Sequence, residues 1–133
     1  VFTGFQGGAD LGRAVASMDM LFNPSVTETF GNVTLEAMAC RLPTVAARAT
    51  GSENLVQEGI TGRLIRPGAI GKFADALQIY CTDAAARASA GAAAEAQAEH
   101  FGWDQVNQAL VDTYLRIIRQ RAQGAKIRSS PVP

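Results

Sequence analysis

The chain has little that marks a metal site, a membrane span or a secreted protein. Only two of its 133 residues are cysteines and only one is a histidine. Cys40 and Cys81 lie far apart in apolar stretches, with no other Cys or His at a metal-ligand spacing, so we predict reduced thiols and no bound metal. No run approaches the roughly eighteen apolar residues of a membrane span, and no secretion signal opens the chain. We therefore expect a cytoplasmic protein.

Neither sign of charge is in excess, because twelve basic and twelve acidic side chains balance to zero. This balance argues against a nucleic-acid surface, which needs clustered Lys and Arg. A basic cluster lies near the end of the chain and consists of Arg116, Arg119, Arg121, Lys126 and Arg128. Such a cluster is typical of a solvated helix face. Two alternatives remain open, namely contact with anionic lipid, which would place the parent protein peripherally at the inner face of a membrane, and contact with another domain.

The length and the first residues of the chain bound its domain organisation. At 133 residues, the chain is long enough for one compact domain and too short for two substantial ones. It begins without Met, and Val1–Thr3 is already strand-like, so we predict a fragment that is incomplete at its N-terminus. We expect a partial domain over residues 1–122 and a disordered tail over residues 123–133.

Short β-rich runs alternate with helical patterns along the chain. This alternation is typical of βαβ units and predicts an α/β fold with a mainly parallel sheet. The predicted strands are Val1–Thr3, Met20–Asn23, Thr44–Ala46 and Gly62–Ile65. The predicted helices cover residues 9–17, 32–40, 53–58, the segment from 71 onward, 84–98 and a last segment from about 103. Gly59 is expected to close the helix over 53–58.

A polar loop over residues 23–32 leaves the second predicted strand and enters the second predicted helix. Ligands bind at this end of the strands in open α/β sheets, and a helix N-terminus attracts phosphate through its free N–H groups and partial positive charge. Gly31 lets the backbone approach a ligand closely. Thr29 and Asn32 add polar side chains at the helix cap. The loop therefore predicts a cradle for a diphosphate.

Glu36 is the one charged residue in the helical segment 33–40, which is otherwise mostly apolar. A carboxylate in such surroundings is costly unless it is paired or hydrogen-bonded, so we expect Glu36 to have a partner. A ribose diol offers two O–H donors that a carboxylate can accept together. A helix-dipole or salt-bridge role for Glu36 is the alternative. For Glu28 taken alone, the sequence favours an exposed loop carboxylate.

Glu28 and Glu36 stand with seven residues between them inside the segment Pro24–Ala39. This pattern resembles the E-x7-E signature of retaining GT-B glycosyltransferases of family four. Four flanking blocks agree with that family in the same order, namely Phe2–Gly4, Ala16–Asp19, Leu42–Ala46 and Glu58–Pro67. The resemblance covers about residues 1–120. It implies a Rossmann-like three-layer parallel sheet, the C-terminal half of a GT-B glycosyltransferase.

The resemblance also implies a role for each residue of the motif. Glu28, as the catalytic residue, is expected near the hydroxyls of the donor sugar, and Glu36 at the ribose diol. The segment that would face the sugar and the diphosphate comprises Thr29, Phe30, Gly31, Asn32 and Val33. Phe5 and Gln6 match the position that flanks the nucleobase. The implied donor is a nucleoside-diphosphate sugar, with no further cofactor and no metal.

Two parts of the family's machinery are missing from the sequence. The family's N-terminal domain binds the acceptor, and a basic pair early in the second domain neutralises the leaving diphosphate. The resemblance therefore implies that the parent protein transfers a sugar to a glycan, lipid or small-molecule acceptor, whereas the isolated chain is inactive. Ser52 stands where family members often carry a second Gly or another small residue after Gly51, so donor preference is expected to differ.

Other functions remain open alongside sugar transfer. The chain could be a non-catalytic nucleotide-sugar-binding fragment, or the parent could be a GT-B sugar-nucleotide epimerase. A dinucleotide-dependent dehydrogenase shares the fold class, but it needs a G-x-G-x-x-G turn after the first strand. Gly4, Gly7, Gly8 and Gly12 do not have that spacing, which argues against this class.

Overall fold

The computed structural model describes the backbone of residues 2–128 and the side chains of residues 2–122. The chain divides into two compact units, residues 1–99 and residues 100–133. Within residues 2–128, no helix is both long enough and apolar enough to cross a membrane. The last five residues of the tail predicted over 123–133 lie outside the described part of the chain.

Three parallel strands form the sheet of the first unit. They are β1 (Leu21–Asn23), β2 (Thr44–Ala47) and β3 (Gly62–Ile65), in the order β1-β2-β3. Parallel neighbours need long crossover connections, usually helical. Here α2 (Asn32–Ala39) connects β1 to β2, and α3 (Thr50–Leu55) connects β2 to β3. The predicted α/β fold with parallel strands is confirmed.

Four further helices complete the described fold. The first unit also contains α1 (Gly8–Ala16), α4 (Ile70–Thr82) and α5 (Ala84–Glu99). Helix α5 packs against both α2 and α4, and α4 packs against β2 and β3. The second unit contains α6 (Trp103–Arg128), whose backbone includes the first residues of the predicted tail.

The strand predicted over Val1–Thr3 is not formed at Phe2 and Thr3, and Val1 lies outside the described residues. A strand is stabilised by hydrogen bonds to a neighbouring strand. Among the described strands β1 pairs only with β2, and Phe2 is fully exposed. Without a neighbour, a β-rich composition is not sufficient to form the strand.

Helix α3 spans Thr50–Leu55 and begins three residues earlier than the helix predicted over 53–58. Glu58 is not part of it, because the backbone is already extended at Val56 and Glu58 forms an isolated parallel bridge with Gly62. The Glu58 carboxylate also accepts a hydrogen bond from the Leu64 amide nitrogen at 2.5 Å, beside β3. Gly59 has a φ of +76° and lies in the turn before β3, rather than at the end of the helix. The prediction of a short helix is right, but its boundaries are wrong.

The core of the first unit lies on both faces of β2, which is buried along its whole length. On one face, β2 packs with residues of α4 and α5 in a cluster of Val45, Ala47, Phe73, Ala76, Tyr80 and Ala90. On the other face, Ala46 packs with Val56 and Leu64. A strand that is buried on both faces is typical of a parallel sheet covered by helices. The core therefore fixes the strand whose carboxyl end borders the candidate site.

Candidate functional site

The loop between β1 and α2 is organised by Asn23, the last residue of β1. Its side-chain oxygen accepts a hydrogen bond from the Ser25 amide at 3.1 Å. Its side-chain nitrogen lies 3.5 Å from Glu28 Oε1 and 3.5 Å from Thr34 Oγ1, at the long limit for hydrogen bonds. Thr34 is fully buried in the first turn of α2. Asn23 therefore joins the end of β1 to the Glu28 carboxylate and to α2.

The start of α3 holds the same loop at a second point. Thr50 Oγ1 donates a hydrogen bond to the backbone carbonyl oxygen of Glu28 at 2.6 Å, and the Gly51 N–H donates to the same oxygen at 3.1 Å. A Cβ on Gly51 would lie 2.9 Å from Glu28 Cβ and 2.9 Å from the carbonyl carbon of Phe30. Glu28 is thus half-buried and contacted through both its backbone and its side chain.

Gly31 is the N-cap of α2 and has a φ of +95°, a left-handed conformation that favours glycine. Within residues 2–122, no side chain caps this end, and the first turn contains no acidic residue. The first N–H groups of a helix have no partner inside the helix, so this end attracts anions. Thr29, Phe30, Asn32 and Val33 are all exposed around it.

Glu36 lies on the side of α2 that faces α1. It lines a cavity of about 420 Å³ whose other walls are Gly8, Leu11, Gly12, Val15, Ala39 and Cys40. It also lines a neighbouring cavity of about 270 Å³, and the other residues of that lining are apolar. The larger cavity has the size of a ligand pocket. Glu36 is therefore an acidic residue in a mostly apolar groove, which we call the α1/α2 groove.

The protein itself offers Glu36 no polar partner in the described region. Among residues 2–122, neither a side-chain hydrogen bond nor an ion pair joins Glu36 to another residue. The salt-bridge alternative is therefore not supported. The helix-dipole alternative is also not supported, because α2 begins at Asn32 and its first turn contains no acidic residue. The carboxylate is available to a ligand in the α1/α2 groove.

Phe5 and Gln6 lie in the loop that precedes α1. The Phe5 side chain is almost fully exposed, and Gln6 Nε2 donates a hydrogen bond to the Thr3 carbonyl oxygen at 2.8 Å. Neither residue lines the two cavities beside Glu36. Gly8, two residues after Gln6, does line the larger one. The loop therefore leads to the wall of the groove without being part of that wall.

Arg48 follows β2, and its guanidinium forms ion pairs with two neighbouring carboxylates. Its guanidinium lies 3.8 Å from a Glu53 oxygen and 3.5 Å from a Glu58 oxygen, and it donates to the Leu64 carbonyl oxygen at 3.3 Å. These contacts tie the end of β2 to α3 and β3. Within residues 2–122, no hydrogen bond or ion pair links Glu28 to Glu36; Glu28 lies in the loop before α2, and Glu36 lies in α2 itself.

Sequence reasoning missed the positioning contacts of this site. Asn23 carries a local signal, because a polar residue at the end of a strand before Pro24 is placed to organise a turn. Thr50 carries no local signal, because its contact with Glu28 spans 22 positions of the chain. Thr50 and Glu28 come together only when the chain folds.

Comparison with known proteins gives relatives along most of the chain. The model of the family described as "Glycosyl transferases group 1" matches residues 1–83. The D-inositol 3-phosphate glycosyltransferase of Kribbella flavida is 42% identical over 91 residues, which are 68% of this chain and 22% of that protein. The sulfoquinovosyl transferase SQD2 of Arabidopsis thaliana is 42% identical over 106 residues, 77% of this chain and 21% of that protein.

Solved structures resemble the chain as well. Anabaena Alr3699/HepE in complex with UDP and glucose superposes with a TM-score of 0.77 at 32% identity, over 87% of this chain and 32% of that one. Sucrose-phosphate synthase from Thermosynechococcus elongatus superposes with a TM-score of 0.81 at 26% identity, over 90% of this chain and 30% of that one.

The parallel sheet, the loop at its carboxyl end and these neighbours define part of a GT-B glycosyltransferase fold. The chain belongs to the group 1 glycosyltransferase family. The resemblance drawn from the E-x7-E spacing is therefore confirmed. The chain spans only about a fifth of the length of the two curated relatives described above.

Proposed function

We propose that the full-length protein carrying this chain is a retaining glycosyltransferase, and that this chain supplies its donor-binding half. The donor in this proposal is a nucleoside-diphosphate sugar, without a further cofactor. The carrying observation is Glu36, an exposed carboxylate in the α1/α2 groove with no protein partner among residues 2–122. Because this carboxylate is exposed, water solvates it when no ligand is bound, and in our proposal a ribose diol replaces that water with two O–H donors.

The other residues of the motif take roles along the donor. The diphosphate lies at the start of α2, where backbone N–H groups beyond Gly31 stabilise the negative charge that develops as it leaves. Glu28 faces the hydroxyls of the donor sugar, and Thr29, Phe30, Asn32 and Val33 border the same space. Phe5 and Gln6 flank the nucleobase, because their loop leads into α1 at the wall of the groove.

The comparisons support the class of donor. Structures of Anabaena Alr3699/HepE contain UDP, UDP with glucose, or UDP-glucose. UDP-glucose is therefore the first donor to test on this protein. The acceptor, a glycan, lipid or small molecule, is bound by a part of the protein outside this chain in our proposal, and peripheral contact with the inner face of a membrane is compatible with it.

A transfer assay on the full-length protein tests this proposal. A thermal-shift screen of nucleotide sugars first identifies the donor, since a ligand that binds the folded state raises the melting temperature. We expect release of nucleoside diphosphate only when an acceptor is present, and a product that keeps the anomeric configuration of the donor. Purified residues 1–133 serve as the control and should show no transfer. Conversion of the donor to an epimerised sugar, without transfer, would instead favour an epimerase.

A further inference from the structure

We propose that Thr50 is a positioning residue for Glu28. In this proposal, which rests on the proposed function, the Thr50 hydroxyl and the Gly51 N–H fix the backbone of the loop that presents Glu28 to the donor sugar. Thr50 itself touches neither the donor nor the reacting atoms. The clamp, as we call this pair of donors, comes from the connection between β2 and α3 and acts on the connection between β1 and α2.

The hydrogen bond that the Thr50 hydroxyl makes indicates this positioning role. Thr50 is the first residue of α3, one position after the N-cap Ala49, whose methyl side chain cannot cap the free N–H groups of the helix. No side chain caps this helix within residues 2–122. The hydroxyl instead donates at 2.6 Å to the Glu28 carbonyl oxygen, 22 positions away in the chain. The polar group at the start of α3 is thus committed to the loop and not to its own helix.

The Gly51 backbone reinforces the contact at the same carbonyl. Its N–H donates to the Glu28 oxygen at 3.1 Å. A Cβ on Gly51 would lie within 3.0 Å of Glu28 and Phe30 atoms, closer than real Cβ contacts. The first turn of α3 therefore approaches the loop as closely as a residue without a side chain allows.

Clamping the carbonyl of Glu28 has a defined consequence for its carboxylate. The two groups belong to one residue, so a shift of the backbone moves the side chain with it. The carboxylate itself has only one long contact, from Asn23 Nδ2 to Glu28 Oε1 at 3.5 Å, so its position depends mainly on the backbone. A misplacement of about 1 Å in a catalytic group costs on the order of 100-fold in rate. The binding of the nucleotide depends on Glu36 and the start of α2, so we expect the clamp to affect turnover more than nucleotide affinity.

The test compares Thr50→Val, which removes the donor but keeps the shape, with Thr50→Ser, which keeps the donor. Both are made in the full-length protein and assayed with UDP-glucose or the nucleotide sugar that the transfer assay identifies. We expect Thr50→Val to lower kcat by about 10- to 100-fold and to leave the dissociation constant of the nucleoside diphosphate within about twofold. Thr50→Ser should keep most of the activity. Thr50 is exposed and Gly51 still bonds the carbonyl, so the fold should persist.

A second variant reaches the same loop by another route. Gly51→Ala keeps every hydrogen-bond donor but places a methyl group against Glu28 and Phe30, and we expect the same loss of kcat. Gly71→Ala is the matched control, because a Cβ at Gly71 meets no atom within 4 Å. Unchanged kcat in Thr50→Val and Gly51→Ala overturns the positioning role, as does an equal loss in Thr50→Val and Thr50→Ser. Absence of transfer in the unmodified protein refutes the proposed function itself, which separates the two failures.

Discussion

At the scale of the residue, the site contains one carboxylate with polar partners in the protein and one without such partners among the described residues. Glu28 is held by Asn23 and by the start of α3, whereas the Glu36 carboxylate in the α1/α2 groove has no hydrogen-bond or ion-pair partner among residues 2–122. Glu36 could be found from the sequence, because a charged residue stands out in an apolar helix. The contacts of Glu28 could not be found, because they depend on distances between segments that the chain brings together only by folding.

Tyr80 provides a residue-scale prediction about pH. Burial in the core, more than the opposing effect of the Arg63 charge, raises the pKa of the Tyr80 hydroxyl above its ordinary value of about 10. The folded state therefore favours the protonated form. Its contribution to stability is fully present below pH 10 and is lost as pH rises through the raised folded-state pKa.

We expect the free energy of unfolding to fall more steeply above pH 10 in the unmodified chain than in Tyr80→Phe. Urea unfolding at several alkaline pH values, followed by circular dichroism, measures this slope. Tyr114→Phe is the control, because Tyr114 is exposed. Equal slopes in the unmodified chain and Tyr80→Phe would contradict the burial argument.

At the scale of the element, prediction succeeded where local pattern and tertiary packing agree. The predicted boundaries of β3 match the structure, and those of β2 and α2 differ by one residue at the carboxyl end. The strand predicted over Val1–Thr3 is absent at Phe2 and Thr3, and the helix predicted over 53–58 forms with other boundaries, for different physical reasons. A strand needs a neighbour, and α3 is displaced toward the loop that its first residues bond. Both reasons are tertiary, so local composition could not reveal them.

Close approach of elements gives a prediction at Gly91, in the middle of α5. A Cβ on Gly91 would lie 2.1 Å from the carbonyl oxygen of Arg41, in the connection between α2 and β2. Gly91→Ala must therefore push α5 away from α2, and overpacking of this kind costs about 1–3 kcal/mol. Gly71→Ala, in open space within α4, should change stability by less than about 1 kcal/mol. Urea unfolding of both variants checks the difference, and equal stability would contradict the described packing of α5.

At the scale of the whole molecule, we propose that this chain binds the donor of the transfer reaction and that another part of the protein binds the acceptor. Its family membership and α/β fold agree with the sequence-based prediction. The chain corresponds to about a fifth of the length of its two cited curated relatives, so acceptor recognition is assigned to the rest of the full-length protein in our proposal. Within the chain, the loop after β1 and the α1/α2 groove are proposed to divide donor binding between sugar and nucleoside.

The most direct measurement of this division is a binding cycle on the full-length protein by isothermal titration calorimetry. It compares the nucleoside diphosphate of the donor with its 2′,3′-dideoxy analogue, in the unmodified protein and in Glu36→Gln. Hydrogen bonds to a charged group contribute about 1.5–3 kcal/mol, so removing the diol or the carboxylate should each weaken binding by about 10-fold or more. If Glu36 accepts hydrogen bonds from the diol, removing the diol and removing the carboxylate abolish the same interaction, so their losses of affinity are not additive. Glu36→Gln then binds both nucleotides about equally. Independent, additive losses, or unchanged affinity in Glu36→Gln, would contradict the account.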